Sequence, residues 1–306
     1  MRSDRRSDAL PLAAALVTVA LWASAFVGIR AAGRDLSAGP LSLGRLLVGA
    51  AALGLLVAAR RDRPPRGDVG RLLACGLLWF GAYNVLLNAA EQRVDAGTAA
   101  MLVNVGPLLI ALLAGVLLGE GFPRTLLAGC AVAFAGAVVI GWATSERGVD
   151  AGWGAALCIA AAAAYAGGVV AQKPLLERTS GLQVTFLACV IGAVACLPFG
   201  PALVREAGDA SASALAWTAY LGIVPTAIGF TTWAYALKRT SAGKMGATTY
   251  LVPPLAVLMG WSMLGETPPA LALFGGALCL AGVAVTREAR LVRRRAPRAL
   301  AEAEGH

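Results

Sequence analysis

The chain has 306 residues, 58% of them hydrophobic and only 14% charged, with a mean hydropathy of +0.72. Soluble domains carry about 25% charged residues, and a soluble chain of this length cannot bury so much apolar side chain, so a polytopic membrane protein is expected. The net charge of +9 does not indicate nucleic acid, because the arginines stand in short runs between apolar segments, without a basic stripe interleaved with aromatics.

In chain order, the N-terminus "MRSDRRSDALPLAAALVTVALWASAFVGIR" has a charged start and an apolar run longer than a signal-peptide core, with Trp22 and Phe26 inside it. It reads as a retained first transmembrane helix. A span needs about 20 mostly apolar residues. Ten segments qualify: 10–29, 39–59, 69–90, 96–118, 124–143, 151–171, 181–200, 213–236, 244–264 and 270–286. Their connections are short. Residues 287–306 read as a basic, disordered tail. Of the 26 lysines and arginines, 20 fall on one side of this arrangement and 5 on the other, with Arg45 inside a span. The rule that cytoplasmic loops are basic then puts both termini in the cytoplasm.

The stretches "NVGPLLIALLAGVLLGEGFP" (104–123) and "YLVPPLAVLMGWSMLGETPP" (250–269) are near copies. An offset of 146 residues aligns 93–139 with 239–285 without a gap, matching Pro107 to Pro253, Glu120 to Glu266, Gly129 to Gly275 and Gly136 to Gly282. Upstream, "WASAFVGIR" (22–30) aligns with "YAGGVVAQK" (165–173) at a slightly different offset. The expected fold is therefore all-α: ten transmembrane helices as two five-helix repeats, 10–143 and 151–286. Because five is odd, the second copy is inverted across the membrane, an architecture of many secondary transporters that bind substrate between the halves.

The aromatic "WASAF" of the first segment, "GPLSLGRLLVG" with Arg45, and "LGIVPTAIGFTTWAYALKRTSAG" running into "YLVPPLAVLMGWSMLGETPPALALFGGALCLAGVAV" resemble the drug/metabolite transporter superfamily, in its EamA-type members with two such units. The resemblance covers roughly 10–286. It implies a bacterial inner-membrane protein that moves small metabolites such as amino acids by alternating access, as a monomer or homodimer. Export is the leading direction and protons are a candidate coupling ion. A flippase for a lipid or lipid-linked sugar is the alternative. In the family, the fifth and tenth helices lie away from the central cavity.

Candidate site residues follow from placing polar and aromatic side chains at membrane depth. Pro107 and Pro253 each deprive the carbonyl four residues back, of Val103 and Thr249, of its helical donor. A membrane tolerates this only where protein or a water-filled cavity satisfies it. They read as paired hinges, or as simple packing kinks. Their neighbours Asn104 and Tyr250 are assigned to the cavity. In the third segment Phe80, Asn84, Asn88 and Glu91 share a helical face, and two asparagines there face a cavity or bond neighbouring helices. Trp79 and Tyr83 flank them, and Thr231 and Trp233 hold the matching region of the eighth segment. Trp22, Ser24 and Tyr165 sit well inside their spans and are assigned to the cavity, with packing as the plainer role. Arg45, aligned with Ala188, lies about 10 Å below its helix end at 1.5 Å per residue. It either snorkels outward or binds a substrate carboxylate or phosphate.

Glu120 and Glu266 each end a span, against the helix dipole, yet precede a new helix. In "GETPP", Thr267 can cap with Pro268 at the first helical position. The glutamates read as hinge or gate, with a proton site as the alternative. Gly129, Ala133, Ala137 and Gly141 are spaced for close helix approach, by internal packing or a dimer contact.

No catalytic residue, metal ligand set or cofactor is expected. Cys75, Cys130, Cys158, Cys189, Cys196 and Cys279 lie in apolar runs without metal-ligand spacing, and the only histidine is His306. An intramembrane enzyme would need a nucleophile–base pair or a metal site. No Walker motif supplies ATP chemistry.

Overall fold

The computed structural model describes residues 2–60, 68–93, 99, 102–144, 153–264 and 269–303, with backbone only for 2–8, 144, 260, 263–264 and 287–303. Among these residues every regular element is helical. They are α1 (Arg2–Ala32), α2 (Ala38–Arg60), α3 (Val69–Glu91), α4 (Gly106–Leu117), α5 (Arg124–Thr144), α6 (Trp153–Arg178), α7 (Gly181–Asp209), α8 (Ala212–Lys238), α9 and α10 (Ala270–Ala303). The ninth is in two pieces, Ala242–Thr248 and Val252–Leu264, joined by a 3₁₀ turn at Thr249–Leu251.

Seven of these helices are long and apolar enough to cross a membrane alone, where ten full spans were expected. For two of the other three, α4 and α9, the cause is a local break. Residues 104–105 form a turn and α4 begins only at Gly106. At 12 residues it is about 18 Å long, well short of a hydrocarbon core of about 30 Å. The break in α9 falls at the equivalent place, one residue before Val252-Pro253. Both interruptions therefore sit directly ahead of the paired prolines. The last helix, expected to stop near residue 286, continues to Ala303; "EARLVRRRAPRALAEA" is rich in Ala, Arg, Leu and Glu, which are good helix formers.

α3 and α8 hold a second pair of irregularities. Gly76–Ala82 and Gly222–Ile228 are π-helical turns, again 146 residues apart. A π turn inserts a residue and leaves carbonyls without their usual donors. Side chains close both: the Asn84 amide donates to the carbonyls of Phe80 (2.7 Å) and Trp79 (3.3 Å), and the Thr226 hydroxyl donates to the Leu221 carbonyl (2.7 Å).

Helices of the first half pack mainly on those of the second. α1 lies on α8 and on the longer piece of α9; correspondingly α6 lies on α3 and α4. α2 packs on α7 and α8, and α3 on α7. α5 and α10 form the most extensive pair, and they pack on α9, with α5 also touching α4. Their contact is backbone on backbone. A Cβ on Gly129 would come within 2.6 Å of the Gly282 carbonyl oxygen, and one on Gly136 within 2.6 Å of that of Gly275. Large apolar side chains such as Leu55, Val116 and Leu273 cover the outer surface. Trp142 and Trp153, each 70% exposed, stand near helix ends where a bilayer would place an aromatic belt.

Candidate substrate cavity

One end of the molecule, the mouth, carries the turn 33–37, the end of α3 and the linker between α7 and α8. The other, the base, carries residues 119–123, the α6–α7 turn and the α8–α9 turn. A cavity open on one side lies in the mouth half. α1 contributes Trp22, Ala25, Phe26 and Ile29; α3 contributes Trp79, Tyr83, Asn84 and Leu87. Val103, Asn104 and Pro107 come from the break before α4, and Thr249 and Val252 from the break in α9. Arg45, Tyr165 and Phe230 complete the wall. The broken helices thus place irregular backbone beside a cavity, where a membrane protein can carry it.

The floor is aromatic. Trp22 stacks on Trp233 at 4.9 Å between ring centroids and meets Trp79 edge-on at 6.0 Å. Trp79 contacts Phe230 at 4.8 Å and Tyr165 at 5.5 Å, and Tyr83 contacts Tyr165 at 5.7 Å. Offset and edge-on rings at these distances hold one another in place beyond what area burial gives. The Trp22 indole N–H donates to the carbonyl of Pro225 (3.2 Å), inside the second π turn. The bulge is therefore used to anchor the floor.

Arg45 does not snorkel outward. It is 5% exposed, and its Nη2 and Nε donate to the Thr226 hydroxyl at 3.1 and 3.4 Å. Thr226 is aimed by its own bond to Leu221, so its oxygen presents lone pairs to the guanidinium. Among the described residues no carboxylate lies within 4.0 Å of Arg45, where the one ion pair is Arg71–Asp68 at the surface. Glu91, one turn above Leu87, interacts with Arg45 and Arg30 only through space.

Several residues assigned to the cavity from sequence stand elsewhere. Asn88 donates to the Ser42 hydroxyl (2.9 Å) and ties α3 to α2. The Ser24 hydroxyl pairs with that of Tyr220 (2.7 Å), and that of Thr231 donates to the Ala227 carbonyl (2.6 Å). Trp233 and Tyr250 are wholly buried outside the lining, and Pro253 is buried too. Phe26, Ile29, Leu87 and Phe230 line the cavity without having been assigned to it, and Val103 and Thr249, whose carbonyls the prolines free, line it too. For Phe230 a signal existed: at the 146-residue offset it is the partner of Asn84.

Glu120 is at the base, not in the cavity. Gly119 (φ +66) and Gly121 (φ +69) end α4 in left-handed turns, and the Glu120 N–H bonds back to the Ala114 carbonyl (3.2 Å). Its side chain is thereby released from its own helix. It accepts the backbone N–H groups of Ala242 (2.6 Å) and Gly243 (3.1 Å), capping the start of α9 rather than of the helix after it in sequence. Beside it, the Lys173 ammonium donates to the carbonyls of Leu237 (2.7 Å) and Thr240 (2.8 Å) at the end of α8. Glu266 lies outside the described residues.

Known proteins share this chain's sequence and fold. A protein of Streptantibioticus cattleyicolor named "Probable terminal-alkyne amino-acid exporter" is 43% identical over 286 residues, 92% of this chain and 95% of the relative. A Salmonella typhimurium protein named "Probable amino-acid metabolite efflux pump" is 27% identical, covering 92% of this chain and 96% of its own length. A protein of known crystal structure superposes with a TM-score of 0.78 over 93% of this chain and 98% of its own, at 20% identity, which speaks to fold alone. The EamA-like transporter family matches at residues 10–142 and 152–287. The chain is a multi-pass membrane protein and a transporter rather than an enzyme, and it belongs to the EamA-like transporter family.

Proposed function

We propose that the protein exports small amino acids with apolar side chains across a bacterial cytoplasmic membrane, by alternating access between two inverted repeats. The observation that carries this reading is Arg45: a buried guanidinium in an aromatic cavity, with no carboxylate partner among the described residues. An unpaired cation at membrane depth is costly and marks function. A guanidinium offers a planar fork that a carboxylate accepts two-pronged. The substrate carboxylate bonds to Arg45, and its side chain lies on Trp22, Trp79, Tyr165 and Phe230. The name of the Streptantibioticus relative fits this floor, since an alkyne is slim and apolar and its terminal C–H is a weak donor toward ring faces.

The basic loops favour a cytoplasmic base, which makes the cavity outward-facing. The aligned halves, the paired breaks and the paired π turns support an inverted repeat, whose two halves exchange conformations to open the other side. Pro107 and Pro253 serve as the flexing points.

The test is solute counterflow in proteoliposomes with a panel of labelled amino acids, with and without a pH gradient. Exchange of an apolar amino acid that Arg45→Ala abolishes and Arg45→Lys partly restores is the expected result. An effect of pH on accumulation would identify protons as the coupling ion. If folded protein moves no amino acid, or Arg45→Ala exchanges at the wild-type rate, the reading fails. Transport that requires an acyl or polyprenyl tail would establish a flippase instead.

A further inference from the structure

Among the described residues, four of the second half hold a buried polar atom without a hydrogen-bond partner; one of them, Tyr165, lines the mouth cavity, and the other three are wholly buried. Neither amide atom of Gln172 has a hydrogen-bond partner, nor has the indole N–H of Trp233 or the hydroxyl of Tyr250. Each of the three residues is 0% exposed. An unmet buried donor or acceptor is costly, so natural structures keep few without a reason. These three lie outside the cavity already described.

The internal repeat supplies the reason. The alignment of "WASAFVGIR" with "YAGGVVAQK" is an offset of 143 and puts Gln172 on Ile29. The offset of 146 puts Trp233 on Leu87 and Tyr250 on Asn104. Ile29, Leu87 and Asn104 all line the mouth cavity. Only a small minority of first-half residues do, so three matches in three are not accidental. The unsatisfied groups sit where the lining of an equivalent cavity, opening at the base, would be. They also adjoin what holds the base shut: Lys173, next to Gln172, grips the Leu237 and Thr240 carbonyls, and Leu237 is one turn beyond Trp233.

We infer that Gln172, Trp233 and Tyr250 line a second substrate surface, exposed at the base when the mouth closes. The inference rests on the alternating-access reading above. Opening the seam between α6 and the α8–α9 turn wets these groups and removes the cost of burying them. Because Ala188 replaces the equivalent of Arg45, this surface receives the amino acid through neutral groups: the Gln172 amide and Tyr250 hydroxyl for its charged end, the Trp233 ring for its side chain.

Two measurements test this in proteoliposomes whose counterflow of an apolar amino acid is followed in parallel. In the first, Gln172→Cys and Ile29→Cys are exposed to a membrane-impermeant maleimide from each face, with buried Cys158 as the internal reference. The expected result is Gln172→Cys labelled from the base side at least ten-fold faster than Cys158, and Ile29→Cys from the mouth side. If Gln172→Cys stays as inert as Cys158 while counterflow runs at the wild-type rate, the second surface is wrong and the transport reading stands. If counterflow is absent in folded wild-type protein, the transport reading falls and this inference with it. In the second, Gln172→Met removes the unmet amide at similar volume. The variant is expected to melt at a higher temperature and to exchange at least five-fold more slowly. Unchanged exchange, or a lower melting temperature, would overturn the assignment.

Discussion

The two ends of the molecule are both held by carboxylates that accept backbone N–H groups, and they hold different things. At the mouth, Glu206 accepts the N–H and hydroxyl of Ser37 (both 2.7 Å), and Asp35 accepts those of Ser211 (2.9 and 2.6 Å). These clasps join the α1–α2 turn to the end of α7 and the α7–α8 linker, and are solvent-exposed. At the base, Glu120 and Lys173 cap the facing ends of α9 and α8 across the route a base-side cavity would open. In the alternating-access cycle proposed above, the mouth clasps can persist and the base contacts break each time the base opens.

That contrast can be tested from its strongest element downward. Lys173→Met removes both bonds to the end of α8 while keeping the apolar stem. It is expected to lower counterflow at least ten-fold and to raise maleimide labelling of a base-side cysteine, read in the same vesicles. Glu120→Gln keeps one acceptor where the carboxylate offers two. A two- to five-fold change in exchange is expected, with faster labelling at the base, and an unaltered labelling rate would show that the cap does not hold the base closed.

Asp35→Asn should leave transport within two-fold of wild type and act on stability through pH. The bonds from Ser211 hold the Asp35 carboxyl below its ordinary value of 3.8. A depressed acid contributes stability in full above its unfolded pKa and loses it as the pH falls through the folded one. Thermal melts of wild type and Asp35→Asn should therefore differ slightly at pH 7 and converge as the pH falls below 3.8 through the folded value. A gap that widens in acid would reverse the sign.

Much of the architecture was legible in the sequence, because a duplicated chain repeats its irregularities in register: the prolines, the Leu-Gly-Glu stops and the interhelical glycines all announce themselves. Arg45, Trp22, Trp79, Tyr83, Asn84, Asn104, Pro107 and Tyr165 were legible at the cavity, since polar and aromatic groups at membrane depth need a partner or a purpose. The π turns were not, as nothing in "GLLWFGA" or "GIVPTAI" distinguishes a π turn from an α turn. Each adds a residue and rotates the remainder of its helix by about 100°. This is why Phe80, inside the first π turn, does not share the cavity wall with Asn84, four residues on and beyond that turn. The partner of Glu120 was hidden for another reason: it lies 122 residues away, and a helix start accepts a carboxylate from any direction.

The glycine seam between α5 and α10 also bears on how such a chain could arise. Gly129 faces Gly282 and Gly136 faces Gly275, and at the 146-residue offset each pair is the other with its members exchanged. Between them the Cys279 thiol donates to the carbonyl of its own counterpart, Ala133 (3.4 Å). A pseudo-twofold axis must pass between those two residues. A contact centred on an axis asks nothing of one half that the other cannot give. A single five-helix gene product, meeting an inverted copy of itself, would already possess this joint, glycine for glycine, before any fusion made the two copies one chain.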